Sequence, residues 1–155
     1  DGAFGFPVAG PGSIALQPQK QNDLDFAVTA LDATLVLQDV VDIIELSAAQ
    51  RLAADVSGNG TVSSLDATYI LQLQAGLIQR FPAAALCDSD WLFVPVPSPT
   101  PNQTLVQPQL GGGVCQLGRI SLTSFMAPLA GRDFAAILLG DVTGNWHAPT
   151  PTPTP

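Results

Sequence analysis

Residues with side-chain oxygens recur on alternate positions between Asp55 and Asp66, in the twelve-residue stretch DVSGNGTVSSLD. A glycine, Gly60, stands at the sixth position, where a sharply turning chain needs a residue that tolerates positive φ. A hard cation such as Ca²⁺ takes 6–8 oxygen ligands at roughly 2.3–2.6 Å, and only a tightly turned loop brings so many together. The spacing therefore predicts a calcium site, whose ligands would be Asp55, Ser57, Asn59, Thr61 through its carbonyl, Ser63 and Asp66.

The order of these residues is that of an EF-hand loop, with a backbone carbonyl at position 7 and a carboxylate at position 12. The closing residue is Asp66 rather than Glu, and DATYILQLQAGLI is expected to continue as a helix. In these features the loop resembles the dockerin family, calcium-loop modules of secreted bacterial proteins whose loops also close with Asp. The alternative is an Asn-Gly turn followed by a capped helix.

An internal repeat extends the resemblance. Residues 28–38 match residues 62–72 at an offset of 62 − 28 = 34. Paired calcium-loop helices at such a spacing are the dockerin arrangement, so the resemblance covers residues 21–82. It implies two similar helices, each beginning at its closing residue, Asp32 or Asp66, which can cap the helix as well as bind metal.

The apolar residues of the repeats predict which helix faces are buried. A short linking helix is expected over residues 47–54. The faces turned to the core are expected to consist of Leu35, Leu37, Val41 and Ile44 in the first helix, and Tyr69, Ile70, Leu71, Leu73 and Leu77 in the second.

The first repeat departs from the family pattern, because counting back from Asp32 puts Phe26 where the loop needs glycine. Near the C-terminus, residues 141–146 read DVTGNW, almost a copy of DVSGNG at residues 55–60, but no closing carboxylate follows. We interpret the two half-loops as one split calcium site, with the ligands Asp141, Thr143, Asn145, Thr29 and Asp32. The alternative is that DVTGN is a polar turn and that the first loop binds nothing.

Composition limits the classes of partner. The chain has 155 residues, with 13 acidic against 5 basic residues and a net charge of −8. It lacks the Lys/Arg footprint of a nucleic-acid-binding protein and any apolar run of about 18 residues that could span a membrane. Charged residues make up 12%, about half the usual share. Either part of the surface is buried against partners, or something other than charge keeps the chain soluble.

Several features favour an extracellular or cell-surface location. Cys87 and Cys115 are consistent with one disulfide in an oxidising compartment. No secretory leader precedes Asp1, so we expect a mature form or a piece of a longer chain. Asn102-Gln-Thr matches an N-glycosylation sequon. The Thr-Pro tail has the composition of an O-glycosylated stalk, with Thr150, Thr152 and Thr154 as acceptors, or of a plain linker.

The predicted fold is α+β: a dockerin-like pair of calcium-loop helices combined with a small antiparallel β portion. Residues 1–20 form an N-terminal β segment that resembles the last hairpin of a carboxypeptidase-regulatory-like β-sandwich. Residues 21–82 form the dockerin-like module, residues 83–147 a β-rich portion, and residues 148–155 the tail. Strands are expected at residues 13–18, at 91–96, where prolines indicate an edge strand, at 103–106 and 119–122, and at 134–139, where the strand should be buried.

No catalytic constellation is present in the sequence. The single histidine, His147, lies beside the tail, and no nucleophile elbow, zinc-spaced cluster or phosphate loop appears. The sequence therefore predicts a protein that is not an enzyme.

Two functions are compatible with the sequence. In the favoured interpretation, Phe4, Phe6 and Val8 add a strand to another copy of the chain, which builds a head-to-tail extracellular filament. That strand could instead pair with its own sheet. The alternative function is a dockerin that binds a cohesin domain and tethers a secreted enzyme or surface protein. The resemblance assigns partner recognition to the residues beside each closing Asp, here Ala30-Leu31 and Ser64-Leu65.

Overall fold

The computed structural model of the chain describes residue 5 and residues 12–24, 26–125 and 130–148. Four α-helices and seven β-strands lie in these residues. The helices are α1 (Ala30–Val40), α2 (Ala48–Ala54), α3 (Ser64–Gln74) and α4 (Pro82–Cys87). The strands are β1 (Gly12–Leu16), β2 (Trp91–Pro95), β3 (Gln103–Val106), β4 (Gln109–Gly111), β5 (Val114–Gln116), β6 (Arg119–Phe125) and β7 (Phe134–Leu138). The α+β class is confirmed.

The two long helices begin with the same local structure. The hydroxyl of Ser63 accepts the N–H of Leu65 at 3.3 Å, and Asp66 accepts the N–H of Ser63 at 2.9 Å. This reciprocal arrangement is a capping box, and Thr29 and Asp32 repeat it at the start of α1. The caps are therefore Thr29 and Ser63. The prediction that the helices begin at Asp32 and Asp66 is wrong by two residues, because these aspartates occupy the third helical position.

Helices α1 and α3 pack against each other through a small buried face. That face is formed at equivalent positions of the two repeats by Ala33, Val36, Ala67 and Ile70, each at most 2% exposed. The predicted faces are partly wrong, because both helices carry apolar residues on nearly every side. Four residues predicted to face the core are exposed instead: Leu37 (42%), Val41 (62%), Leu71 (45%) and Leu77 (74%).

The strands form three small antiparallel sheets, with the strand orders β1-β6-β3, β2-β7 and β4-β5. In the first sheet Ile14 lies opposite Leu122, and Leu16 lies opposite Ile120. The strand predicted at residues 13–18 thus pairs within its own chain. Phe4, Phe6 and Val8, the residues proposed for strand exchange, lie outside the described residues.

The prediction of a fully buried strand at residues 134–139 is wrong. Among the described strands, β7 pairs with β2 alone, and in this two-stranded ribbon Ala135 and Ala136 are exposed while Leu138 is buried. Leu139, directly after the strand, is also buried. The ribbon is therefore buried at its C-terminal end, where the chain continues to Asp141.

The larger of the two apolar clusters in the described residues joins the helices to the C-terminal segment, and the smaller one contains Ile120 and Leu122 of β6. The larger cluster contains residues of α1 and α3 together with Phe81, Leu92, Leu139 and Val142. A disulfide between Cys87 and Cys115 links α4 to β5, with 5.2 Å between the Cα atoms. In the described part of the chain, no helix is both long and apolar enough to cross a membrane.

Candidate metal centre

The first half of the loop at residues 55–66 wraps around the carboxylate of Asp55. Both oxygens of this carboxylate accept hydrogen bonds from residues that follow it in the chain. The donors to Oδ1 are Ser57 Oγ (3.1 Å), Gly58 N (3.0 Å) and Asn59 N (3.2 Å), and the donor to Oδ2 is Gly60 N (2.8 Å). The turn at Gly60 has a φ of +89°, which glycine adopts without strain.

The closing carboxylate lies across the same loop. Ser57 N–H donates to Asp66 Oδ1 at 2.9 Å. Asp66 is fully buried, and Asp55 is 5% exposed. None of the ion pairs found among the described residues involves either carboxylate. Two acidic groups are therefore held together, out of water and without a cationic side chain.

The electrostatics of the loop suit a bound cation. Burial raises the pKa of Asp55, the hydrogen bond from Gly60 N–H opposes the rise, and the carboxylate of Asp66 adds to it. A buried charge normally requires a partner or a metal ion. The side-chain donors of the loop are carboxylate, hydroxyl and amide oxygens, the hard ligands that Ca²⁺ prefers. The residues at the predicted positions thus fit a calcium ion.

The two half-loops predicted to form a split site lie side by side. Thr143 N–H donates to Asp32 Oδ1 at 2.8 Å, although the two residues are 111 positions apart in the sequence. Asp141 accepts hydrogen bonds from Thr143 Oγ1 (2.9 Å), Asn145 N (3.1 Å) and Trp146 N (2.9 Å). The fifth predicted ligand, Thr29, is the capping residue of α1.

Residues 21–26, which precede Asp32 at the positions of the first half of a loop, make other contacts. The side chain of Gln21 donates to Asp88, and the backbone N–H of Asn22 donates to Asp90 at 2.6 Å. Asp23 forms an ion pair with Lys20. Phe26, at the position of the missing glycine, is 94% exposed.

Trp146 is a residue of this region that sequence reasoning did not single out. Its indole N–H donates to the carbonyl of Asp23 at 2.9 Å, and its ring meets Trp91 edge to face, with 4.7 Å between centroids. The ammonium of Lys20 lies 4.5 Å and 4.9 Å from the two ring centroids, within the range of cation–π attraction. The sequence feature that could have identified Trp146 is its place at the sixth position of DVTGNW, where the loop at residues 55–66 has Gly60.

The remaining predicted residues are dispersed. Asn102 lies in an exposed turn before β3 with a φ of +60°, and its glycosylation stays a prediction. Thr150, Thr152 and Thr154 lie outside the described residues. The ring of His147 lies 3.2 Å from the carbonyl oxygen of Asn145.

The repeat is also visible in the exposed residues of the two helices. Leu31 and Leu65, each just before its closing Asp, are 56% and 45% exposed. Leu37 and Leu71 follow six residues later and are 42% and 45% exposed. We call these four residues the leucine pairs.

Two capped helices, each beginning at the closing half of a calcium-type loop and joined by a short helix, define a paired calcium-loop module. Residues 22–72 match the family model of the dockerin type I domain, which confirms the predicted resemblance of this region to a dockerin module. No curated protein and no solved structure matches the chain. The resemblance of residues 1–20 to a β-sandwich hairpin stays a prediction.

Proposed function

We propose that this chain is a non-catalytic, calcium-dependent dockerin module that binds a cohesin domain and so tethers the protein to which it belongs. The observation that carries the proposal is the family match at residues 22–72. Dockerin type I domains bind calcium and cohesins and have no catalytic role of their own. Buried loop carboxylates without a cationic partner support the calcium part of the proposal.

The leucine pairs are our candidates for the contact with the cohesin. They lie at equivalent positions of the two repeats, and each pair begins beside a closing aspartate. Large exposed apolar side chains can mark an interaction site, and Leu31 and Leu65 are exposed at equivalent positions of the two repeats. A few well-packed anchors supply most of the free energy at such interfaces.

Calcium would act on this surface through the first turn of each helix. In α3, Asp66 accepts a hydrogen bond from the loop through Oδ1 and from the capping residue through Oδ2. Leu65 is the residue just before it. Metal bound by Asp66 would therefore hold Leu65 in one orientation, and removal of the metal would loosen loop and helix start together.

The experiment is a binding measurement between the full chain and a panel of immobilised type I cohesins, in calcium and in excess chelator. We expect binding in calcium and its loss in chelator. The double variant Leu31→Asp/Leu65→Asp should bind at least tenfold more weakly, about 1.4 kcal/mol in binding free energy. Val114→Asp is the matched control, because Val114 is 63% exposed in β5, outside the matched segment.

Two results would contradict the proposal. The first is the absence of calcium-dependent binding to every cohesin tested. The second is an unchanged affinity of the leucine double variant while its circular dichroism spectrum shows a normal fold. An equal loss for Val114→Asp would assign the contact to another surface.

Filament assembly by strand addition has less support. No comparison points to self-assembly, and Phe4, Phe6 and Val8, the residues of the proposed exchanged strand, lie outside the described residues. An extracellular or cell-surface location fits both functions, because dockerin modules typically belong to secreted or surface proteins. The Cys87–Cys115 disulfide also suits an oxidising compartment.

A further inference from the structure

We propose that the chain has a second calcium site, assembled from segments far apart in the sequence. Asp32 would close this site from the start of α1, and Asp141, Thr143 and Asn145 would supply its first half from the segment after β7. The inference extends the calcium dependence proposed above. We call this the split site, and the loop at residues 55–66 the continuous site.

The first carboxylate of the split site is held as in the continuous site. Asp55 Oδ1 accepts the hydroxyl of the residue two positions on and the N–H of the residue four positions on, at 3.1 and 3.2 Å. Asp141 Oδ1 accepts the equivalent bonds at 2.9 and 3.1 Å. The second oxygen accepts an N–H five positions on in both, from Gly60 at 2.8 Å and from Trp146 at 2.9 Å.

The closing carboxylate is also held in the same way. Ser57 N–H donates to Asp66 at 2.9 Å, and Thr143 N–H donates to Asp32 at 2.8 Å. Each closing Asp occupies the third position of a capping box and is fully buried. The valines at the second loop position, Val56 and Val142, are both 0% exposed. The split site and the continuous site are therefore also alike in how the second loop residue packs in the core.

The charge at the split site requires a partner. Asp32 is 0% exposed and Asp141 is 7% exposed. The ion pairs formed within the described ranges include neither of them. A polar turn that merely supports α1 would leave two buried carboxylates together with hydrogen-bond donors but without a cation, which is unfavourable. Their oxygens, with those of Thr143 and Asn145, form a hard donor set suited to Ca²⁺.

Trp146 marks the point where the chain leaves the split site. Gly60 has a φ of +89° and turns the continuous loop toward its closing half, whereas Trp146 does not adopt a positive φ. The closing half is already present on another segment, so the chain needs no such turn. The indole contacts with Asp23 and Trp91 hold the segment in place. Residues 21–23, which stand at the positions of a first half-loop, instead form hydrogen bonds with Asp88 and Asp90 and an ion pair with Lys20.

Terbium luminescence can separate the two sites. Tb³⁺ replaces Ca²⁺ at oxygen-rich sites and emits when a nearby tryptophan is excited. Trp146 donates a backbone hydrogen bond to Asp141 itself, whereas the sixth residue of the continuous site is a glycine. We expect the full chain to show tryptophan-sensitised emission that Ca²⁺ displaces. Asp32→Ala and Asp141→Ala should each remove it, and Asp55→Ala should retain it.

A milder pair of variants covers the case in which an aspartate variant fails to fold. Asn145→Ala and the matched Asn59→Ala each remove an amide at the fifth position, and both residues are exposed. Asn145→Ala should weaken the tryptophan-sensitised metal binding roughly tenfold or more, as losses around a metal typically do. Asn59→Ala should leave this signal unchanged.

The double variant Asp32→Ala/Asp141→Ala should lose little more calcium affinity than either single variant, because both residues serve one ion. Emission that survives Asn145→Ala unchanged, or additive losses in folded aspartate variants, would overturn the split site. These outcomes are distinct from a failure of the proposed function. The proposed function fails if the chain binds no cohesin, whatever the terbium signal shows. The split site fails if its own variants, Asp32→Ala, Asp141→Ala and Asn145→Ala, leave metal binding unchanged.

Discussion

At the scale of single residues, Asp32 and Asp66 each combine two roles. Each accepts a hydrogen bond from its capping residue through one oxygen and from a loop N–H through the other. A helix start and a proposed metal loop therefore share one carboxylate. This explains why the two repeats preserve the same Thr/Ser-x-x-Asp pattern at Thr29 and Ser63.

The capping residues give the first prediction. Thr29→Ala and Ser63→Ala should each lower the free energy of unfolding by about 1 kcal/mol, because the N–H two residues on loses its acceptor. Chemical denaturation in excess chelator would measure it, because Thr29 and Ser63 are also predicted calcium ligands. Thr34→Ala and Thr68→Ala are the controls. Their hydroxyls only bond to the carbonyl one turn back, so their loss should be neutral or slightly stabilising. Equal losses in all four variants would contradict the capping assignment.

Local patterns of residue types can be recognised in the sequence. The loop at residues 55–66 and the repeat at Asp32 are contiguous patterns, so ligand types and spacing can be read directly. The helix starts were misplaced by two residues, because a closing Asp and a capping Asp look alike in sequence. Trp146 was missed, since its contacts with Asp23 and Trp91 depend on how distant segments pack.

At the scale of elements, the pairing of α1 with α3 is the centre of the module. The buried residues are Val36 and Ile70, and their immediate neighbours Leu37 and Leu71 are exposed. Consecutive apolar residues make the periodicity of these helices ambiguous, so the sequence could not select the buried face. The partner helix decides it, by accepting small Ala33 and Ala67 at the contact.

The helix pairing gives the second prediction. Ile70→Ala should destabilise the fold by about 2–5 kcal/mol, because it leaves a cavity in a fully buried position. Leu71→Ala, the adjacent exposed control, should change the free energy of unfolding by no more than about 0.5 kcal/mol. Thermal or chemical unfolding of the two variants provides the measurement. A similar cost for both would mean that the face assignment is wrong.

The strands show how far element prediction from sequence can go. Their approximate places were predictable from apolar runs between turn residues. Their partners were not, because the pairing of Ile14 with Leu122 depends on the folding of everything between them. The exposure of β7 follows from its pairing with β2 alone among the strands that the structure describes, which the periodicity of the sequence does not indicate.

At the scale of the whole molecule, the segment after β7 connects the helices to the β portion through backbone hydrogen bonds. Gly140 N–H donates to the carbonyl of Ala53 at 2.8 Å, and Leu139 N–H donates to that of Asp90 at 3.0 Å. The segment therefore contacts both the helical module and the β portion. It also delivers Asp141 to Asp32.

Gly140 gives the third prediction, because it allows this close contact. A Cβ there would lie 2.6 Å from the ring of buried Phe81, and its φ is +89°. Gly140→Ala should cost about 1–2 kcal/mol in backbone strain and about 1–3 kcal/mol more in overpacking. Gly76→Ala is the control, with a φ of +69° and no atom within 4 Å of the added Cβ. It should show the strain alone. Equal losses in unfolding free energy would mean that the segment does not pack on Phe81 as described.

Calcium as part of the folded state is the central claim, and calorimetric melting of the full chain in calcium and in excess chelator tests it most directly. At a calcium concentration 100 times the dissociation constant, each occupied site adds about 2.7 kcal/mol to the free energy of unfolding. Two sites would add about 5 kcal/mol, which for a chain of this size corresponds to about 10–20 °C in melting temperature. We predict a fall of that size on chelation. An unchanged melting temperature would contradict the account.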